Sequence, residues 1–276
     1  MHPLTGCIAK VNRADDHISA LSDRIQEFVN DETAYVISKE PDPKAPQDIV
    51  LWGESRKDPP VSEWGPIIGD VVHNLRSALD AVVWELSALR CGGAPPEPPP
   101  SKSRWRDVGF PIVIVKGDWH NEACRKIPAV GPAGWTTIKG HQPFVTRKNA
   151  PDREPLAVLH KLWNIDKHRH PHLVLVLAKF DHLRIAKRYE GANDILLRVI
   201  RQQDPGPVEG RTELARVRLI GPPLTRVAGM DVEHDTAFDI AFADGPPAYG
   251  APLMDTLESI RDAVIDVIAD LQSEFP

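Results

Sequence analysis

Two helix-compatible stretches, far apart in the chain, carry dense polar sets where a core helix would carry leucines. The first is Gly69-Asp-Val-Val-His-Asn-Leu-Arg-Ser-Ala-Leu-Asp80 and the second is His160-Lys-Leu-Trp-Asn-Ile-Asp-Lys-His-Arg169. A polar group buried without a partner costs about 1–3 kcal/mol. The chain must therefore fold so that these segments satisfy one another, or leave them lining a site.

The remaining pattern places them in a mixed fold. Leu4, Ile8, Val11, Ile18, Leu21, Ile25 and Phe28 recur at threes and fours, which predicts a first amphipathic helix. Tyr35–Ser38 and Asp48–Trp52 flank a proline-bearing turn and read as a hairpin. A second helix runs from about Glu63 to Leu89 and stops at Gly92-Gly93, and Ala94–Pro100 is a stiff extended connector. Val108 to Val115 reads as a buried strand. The third helix begins after Asp152, a candidate N-cap, with Pro155 in its first turn, and ends near Arg169 before Pro171.

Leu173–Ala178 is a continuous apolar run suited to a central strand, and further strands are expected at Leu183–Arg188, Ile195–Arg201, Glu213–Ile220 and Thr236–Phe242. In the closing helix Leu253, Leu257, Ile260, Val264, Val267, Leu271 and Phe275 form a seam. Glu258, Asp262, Asp266, Asp270 and Glu274 form an acidic stripe. The expected fold is α+β, one domain over 1–276. It comprises a bundle of about four helices (about 5–30, 63–90, 153–169 and 252–275) with an antiparallel sheet inserted at about 172–243.

Composition narrows the function classes. With 42% hydrophobic and 26% charged residues the chain is of ordinary globular type. Its net charge of −6 supplies no general attraction to a nucleic-acid backbone, although a local basic patch overrides a net value. Cys7, Cys91 and Cys124 are widely spaced and odd in number, which fits a reducing cytoplasm. No signal-like N-terminus and no apolar run of membrane length is present, so no membrane association is expected.

On the second helix, Asp70, His73, Ser77, Asp80 and Trp84 are three and four apart and share a face, with Asn74 and Arg76 flanking it. On the third, His160, Asn164, Lys167 and His168 share a face, and Arg153 lies two turns before His160. One reading is a structural ion-pair network, for instance Arg76 with Asp166 and Asp80 with Arg169. The other is a site. His73, His160 and His168 titrate near neutrality and suit acid or base work, while Arg76, Lys167 and Arg153 suit a phosphate or carboxylate.

His73-Asn-Leu-Arg-Ser-Ala-Leu-Asp80, Phe110-Pro-Ile112 and Asn164-Ile-Asp-Lys-His-Arg169 resemble the hallmark segments of an uncharacterised bacterial protein family that carries no assigned function. The layout also resembles HEPN domains, helical bundles that include metal-independent ribonucleases. Their motif is an Arg followed after four to six residues by a His, and Arg153-Glu-Pro-Leu-Ala-Val-Leu-His160 fits that spacing. The resemblance implies RNA as partner, His160 as general base on a ribose 2′-hydroxyl and Arg153 as stabiliser of the charged transition state. It also implies a homodimer, because HEPN ribonucleases usually build their site across two copies. In the first hallmark set Asn74, Arg76 and Asp80 are binding candidates, joined in the second by Asn164, Asp166, Lys167 and Arg169.

Other signals point elsewhere with less force. His168-Arg-His-Pro-His172 puts three histidines at alternate positions, but Pro171 and the lack of a partner at ligand spacing favour a polar junction over a zinc site. No metal and no cofactor is expected. Arg198, Arg201, Arg216 and Arg218 fall on predicted strands, either as an RNA-facing surface or as a solvated face, and no aromatic residues interleave with them. Cys124 beside Arg125 reads as structural rather than nucleophilic. No Walker loop, GxGxxG, GxSxG or HExxH occurs.

Overall fold

The structure is a computed structural model that describes residues 2–31, 33–92, 107–167, 173–185, 196–204, 206–208, 210–220, 232–243 and 248–275. It is an α+β protein whose residues fall into two compact units. One comprises Met1–Ser22, Val61–His172 and Asp244–Pro276, and the other Asp23–Pro60 and Leu173–Ala243.

The first unit is helical. It holds the N-terminal part of α1 (Thr5–Val29), then α2 (Val61–Arg90), α3 (Trp119–Lys126), α4 (Pro132–Gly140), α5 (Pro143–Thr146), α6 (Pro155–Asp166) and α7 (Leu253–Leu271). Helices α2, α6 and α7 pack against one another. The seam expected on α7 is its core face: Leu253, Leu257, Ile260, Val264, Val267 and Leu271 are all fully buried. Three short helices, α3 to α5, join the four long ones expected from the sequence. No helix of the described residues is long and apolar enough to cross a membrane.

Two expectations in this unit need correction. Residues 108–115 do not form a strand. The segment is extended, but side chains and a helix-end carbonyl replace a strand partner: Phe110 N donates to Asp80, Val113 N donates to Gln142, and Gly109 N donates to the carbonyl of Lys126, the last residue of α3. Pro111, which has no N–H, would have interrupted any ladder there. The third helix is shorter than expected. Its N-cap is Glu154, whose Oε2 accepts from Leu156 N at 2.8 Å and Ala157 N at 3.3 Å. Asp152 and Arg153 instead lie in a preceding 3-10 turn at Pro151–Arg153, so Arg153 is not on the helix that carries His160.

The second unit carries the strands. The hairpin of β1 (Tyr35–Asp42) and β2 (Ala45–Ser55) forms as expected, and β2 also pairs antiparallel with β6 (Arg211–Ile220). With β4 (Leu196–Gln202) this gives a four-stranded sheet ordered β1-β2-β6-β4. A second sheet, ordered β5-β3-β7, contains β3 (Leu173–Ile185), β5 (Gly206–Pro207) and β7 (Val232–Phe242). The strand expected at Leu183–Arg188 is the end of β3 as far as Ile185, and its last residues lie outside the described ones. Arg216 and Arg218 are engaged by carboxylates: Arg216 by Asp42 and Glu213, and Arg218 by the buried Asp48 at 2.6 Å. Arg198 and Arg201 are exposed on β4.

Candidate anion-binding cavity

Arg76 sits within the apolar stripe of α2, one turn from Val72 and Leu79 and two from Val83, and is only 4% exposed. A guanidinium there must be held or it costs several kcal/mol. Its Nη2 donates to Asp80 Oδ1 at 2.8 Å, one helical turn on, and to the Phe110 carbonyl at 2.7 Å. Its Nε and Nη1 are buried and have no hydrogen-bond partner. Arg has five N–H donors, so three remain unused. Trp163 of α6 faces the guanidinium, with its ring centroid 5.5 Å from Arg76 Cζ, and Lys167 Nζ lies 3.0 Å from the same centroid.

Arg76 and Phe110 border a cavity of about 460 Å³. Arg76, Arg125, Lys126 and His160 are its basic lining groups, Asp118 and Glu122 its acidic ones, and the extended segment Phe110–Val115 supplies an apolar wall. Arg125 and Glu122 pair at 2.6 Å. The Lys126 amine has no hydrogen bond or ion pair among the described residues. Burial, then Arg76 and Arg125, pull its amine below the usual lysine range, against Asp80 and Glu122.

His160 is held below its ordinary value chiefly by burial, then by Arg76, Lys126 and Lys167, with Glu122 opposing. These influences favour its neutral form. Its Nε2 lies 3.3 Å from the Asn164 amide nitrogen. With that amide donating, Nε2 accepts and the proton sits on Nδ1, which is buried and without a partner. The cavity is thus lined by a half-compensated guanidinium, an unpaired amine and a histidine.

The sequence-derived candidates divide. Arg76 and His160 meet at the cavity, Asp80 anchors Arg76, Asn164 orients His160, and Lys167 caps Trp163. Asp166 approaches Gly69 so closely that an added Cβ would collide with its carboxylate. The remaining α2 stripe is largely solvated: His73 is exposed, Asn74 donates to the Asp70 carbonyl of its own helix, and Ser77 accepts from Lys10 of α1 at 2.8 Å. The ion pair expected between Arg76 and Asp166 is replaced by Arg76–Asp80, because an i, i+4 partner on the same helix is already in reach. Arg153 lines a different cavity, of about 600 Å³, with Arg147, Tyr249 and Asp255. His168, Arg169 and the histidine cluster they open lie outside the described residues. Among the described residues no group of His, Cys, Asp or Glu is placed to hold a metal ion.

Sequence reasoning missed Lys126 and Gln142. Lys126 carries no sequence signal, being one of three basic residues in Arg125-Lys126 and Lys116. Gln142 is fully buried and fastens the cavity wall: its Oε1 accepts from Val113 N at 2.9 Å and its Nε2 donates to the Pro111 and Ile138 carbonyls. Comparison with family models, curated proteins and solved structures finds no match to this chain.

Proposed function

We propose that this protein binds an anionic ligand, through a phosphate or carboxylate group, in the cavity between α2, α3 and α6. The observation that carries this reading is the buried guanidinium of Arg76 with Nε and Nη1 unpaired, beside a lysine that lacks a partner. A network serving only to fix helix register would consume those donors. Unsatisfied buried polar groups are rare in native folds and gather where a ligand completes them. We place the protein in the cytoplasm, in keeping with its three free cysteines.

The scaffold reading has support of its own, since Arg76 and Asp80 together hold both backbone groups of Phe110. It does not explain why Lys126 and His160 converge on the same cavity. The ribonuclease proposal drawn from the HEPN resemblance needs His160 as base beside Arg153. Those two line separate cavities, and the Asn164 contact favours a proton on the one His160 nitrogen that lacks a partner. Binding uses the same groups without that requirement.

The test is a thermal-shift and calorimetric titration of the full chain with phosphate, sulfate and acetate. Stabilisation rising with ligand concentration is expected, and Arg76→Met and Lys126→Met should each remove most of it. Wild-type protein that shows no saturable shift with any of these anions would sink the reading.

A further inference from the structure

Charged side chains line part of the cavity, Arg76, Arg125 and Lys126 among them. Its other wall is the extended segment from Phe110 to Val115, and exposure rises along it: Phe110 and Val113 are buried, Ile114 is 37% exposed and Val115 is 60% exposed. The segment is not loose, because Asp80 and Gln142 hold its backbone at Phe110, Pro111 and Val113. Its apolar side chains are therefore kept at the mouth by a built framework, beside a buried cation short of partners. Apolar walls converging on a few fixed polar groups are the usual form of a small-molecule site.

From this juxtaposition we infer that the ligand is a monocarboxylic acid with an aliphatic tail, its head toward Arg76 and Lys126 and its tail along Ile112, Ile114 and Val115. The inference rests on the anion-binding reading above and narrows it. The lining set has three cations, Arg76, Arg125 and Lys126, against two carboxylates, Asp118 and Glu122, which leaves one positive charge in excess. Asp80, which pairs with Arg76 from behind the lining, offsets that charge further, so the site suits a monoanion better than a phosphate dianion. The volume of about 460 Å³ lies within the range of small-molecule pockets.

The experiment is calorimetry on the full chain with sodium acetate, butanoate, hexanoate and octanoate, with inorganic phosphate alongside. Each added methylene that reaches the wall should tighten Kd about fourfold. Ile114→Ser and Val115→Ser, at positions exposed enough to keep the fold, should shrink that increment. A Kd that stays flat from acetate to octanoate, while acetate and phosphate still bind, overturns this inference and leaves the anion reading standing. An increment that persists undiminished in Ile114→Ser and Val115→Ser puts the tails elsewhere and overturns it too. Absence of binding by every acid and by phosphate removes both.

Discussion

Arg76 Nη2 donates to the carbonyl oxygen of Phe110 at 2.7 Å, tying a helix-interior guanidinium to an extended segment 34 residues downstream. Asp80 completes the arrangement, because its Oδ1 accepts from Phe110 N at 2.8 Å as well as from Arg76. Both backbone groups of Phe110 are thus satisfied by one i, i+4 pair of α2. The pair substitutes for a neighbouring strand, and it leaves the rest of the guanidinium turned to other use.

That division of labour gives the two residues different mutational signatures. Asp80→Ala strands a buried guanidinium and leaves Phe110 N without its acceptor. It should cost about 2–3 kcal/mol in chemical denaturation. The figure sits below that for a fully enclosed pair because the Asp80 side chain is 36% exposed. Arg76→Met removes the desolvated charge along with its two hydrogen bonds, to Asp80 and the Phe110 carbonyl, and should stay within about 1 kcal/mol of wild type while losing anion binding. Equal destabilisation by the two variants would show that Arg76 serves the scaffold alone.

Two glycines that both abut carboxylates should respond to alanine with opposite signs. A Cβ at Gly109 would come 2.7 Å from Asp80 Oδ1, an atom already fixed by two hydrogen bonds, so Gly109→Ala must pull Asp80 off its partners and destabilise the fold. At Gly69 the obstacle is the Asp166 carboxylate, at the end of α6, which can rotate away. There the helix preference of alanine over glycine, about 1 kcal/mol, should prevail. Thermal denaturation of both single variants checks the contrast.

Gln142 is the second fastening of the cavity wall. Gln142→Ala leaves Val113 N and the Pro111 and Ile138 carbonyls short of a buried partner and should cost about 2–4 kcal/mol. Gln142→Glu keeps the acceptor for Val113 but sets a carboxylate against two carbonyl oxygens. Its stability should therefore recover as pH falls and the side chain is protonated. Denaturation curves across acidic pH distinguish that recovery from a simple loss of packing.

Periodicity made much of this fold legible. The seam from Leu253 to Leu271, the Tyr35–Ser55 hairpin and the alternation of Phe238, Ile240 and Phe242 are local patterns, and each forms the expected element. The run Val108–Val115 has the same apolar character as a strand, but its backbone partners are Asp80 and Gln142, each about thirty residues distant, and no local pattern announces them. On α2 the three-and-four spacing of Asp70, His73 and Ser77 drew attention to a stripe that is solvated or meets α1. The informative residue was Arg76, the one charge inside the apolar stripe. Arg153 and His160 have a motif-like spacing, but the chain ends its 3-10 turn between them, so sequence distance did not translate into a shared cleft.

The protonation of His160 should be visible in the pH dependence of stability. Burial, with Arg76, Lys126 and Lys167, lowers its folded-state value beneath the ordinary 6.5, so the unfolded chain binds a proton more readily. The contribution is complete above pH 6.5 and is lost as pH falls from there through the lower folded-state value. Glu154 acts with the opposite sign, since burial raises its carboxyl above the usual 4.5 and its contribution falls as pH rises through that region. Comparing wild type with His160→Asn isolates the first effect: the variant should show a shallower loss of stability between neutrality and pH 5. Saturating acetate or phosphate should in turn raise the His160 titration midpoint seen by NMR, because a bound anion offsets the cations that now depress it. A midpoint that does not move when ligand binds would place the anion away from His160.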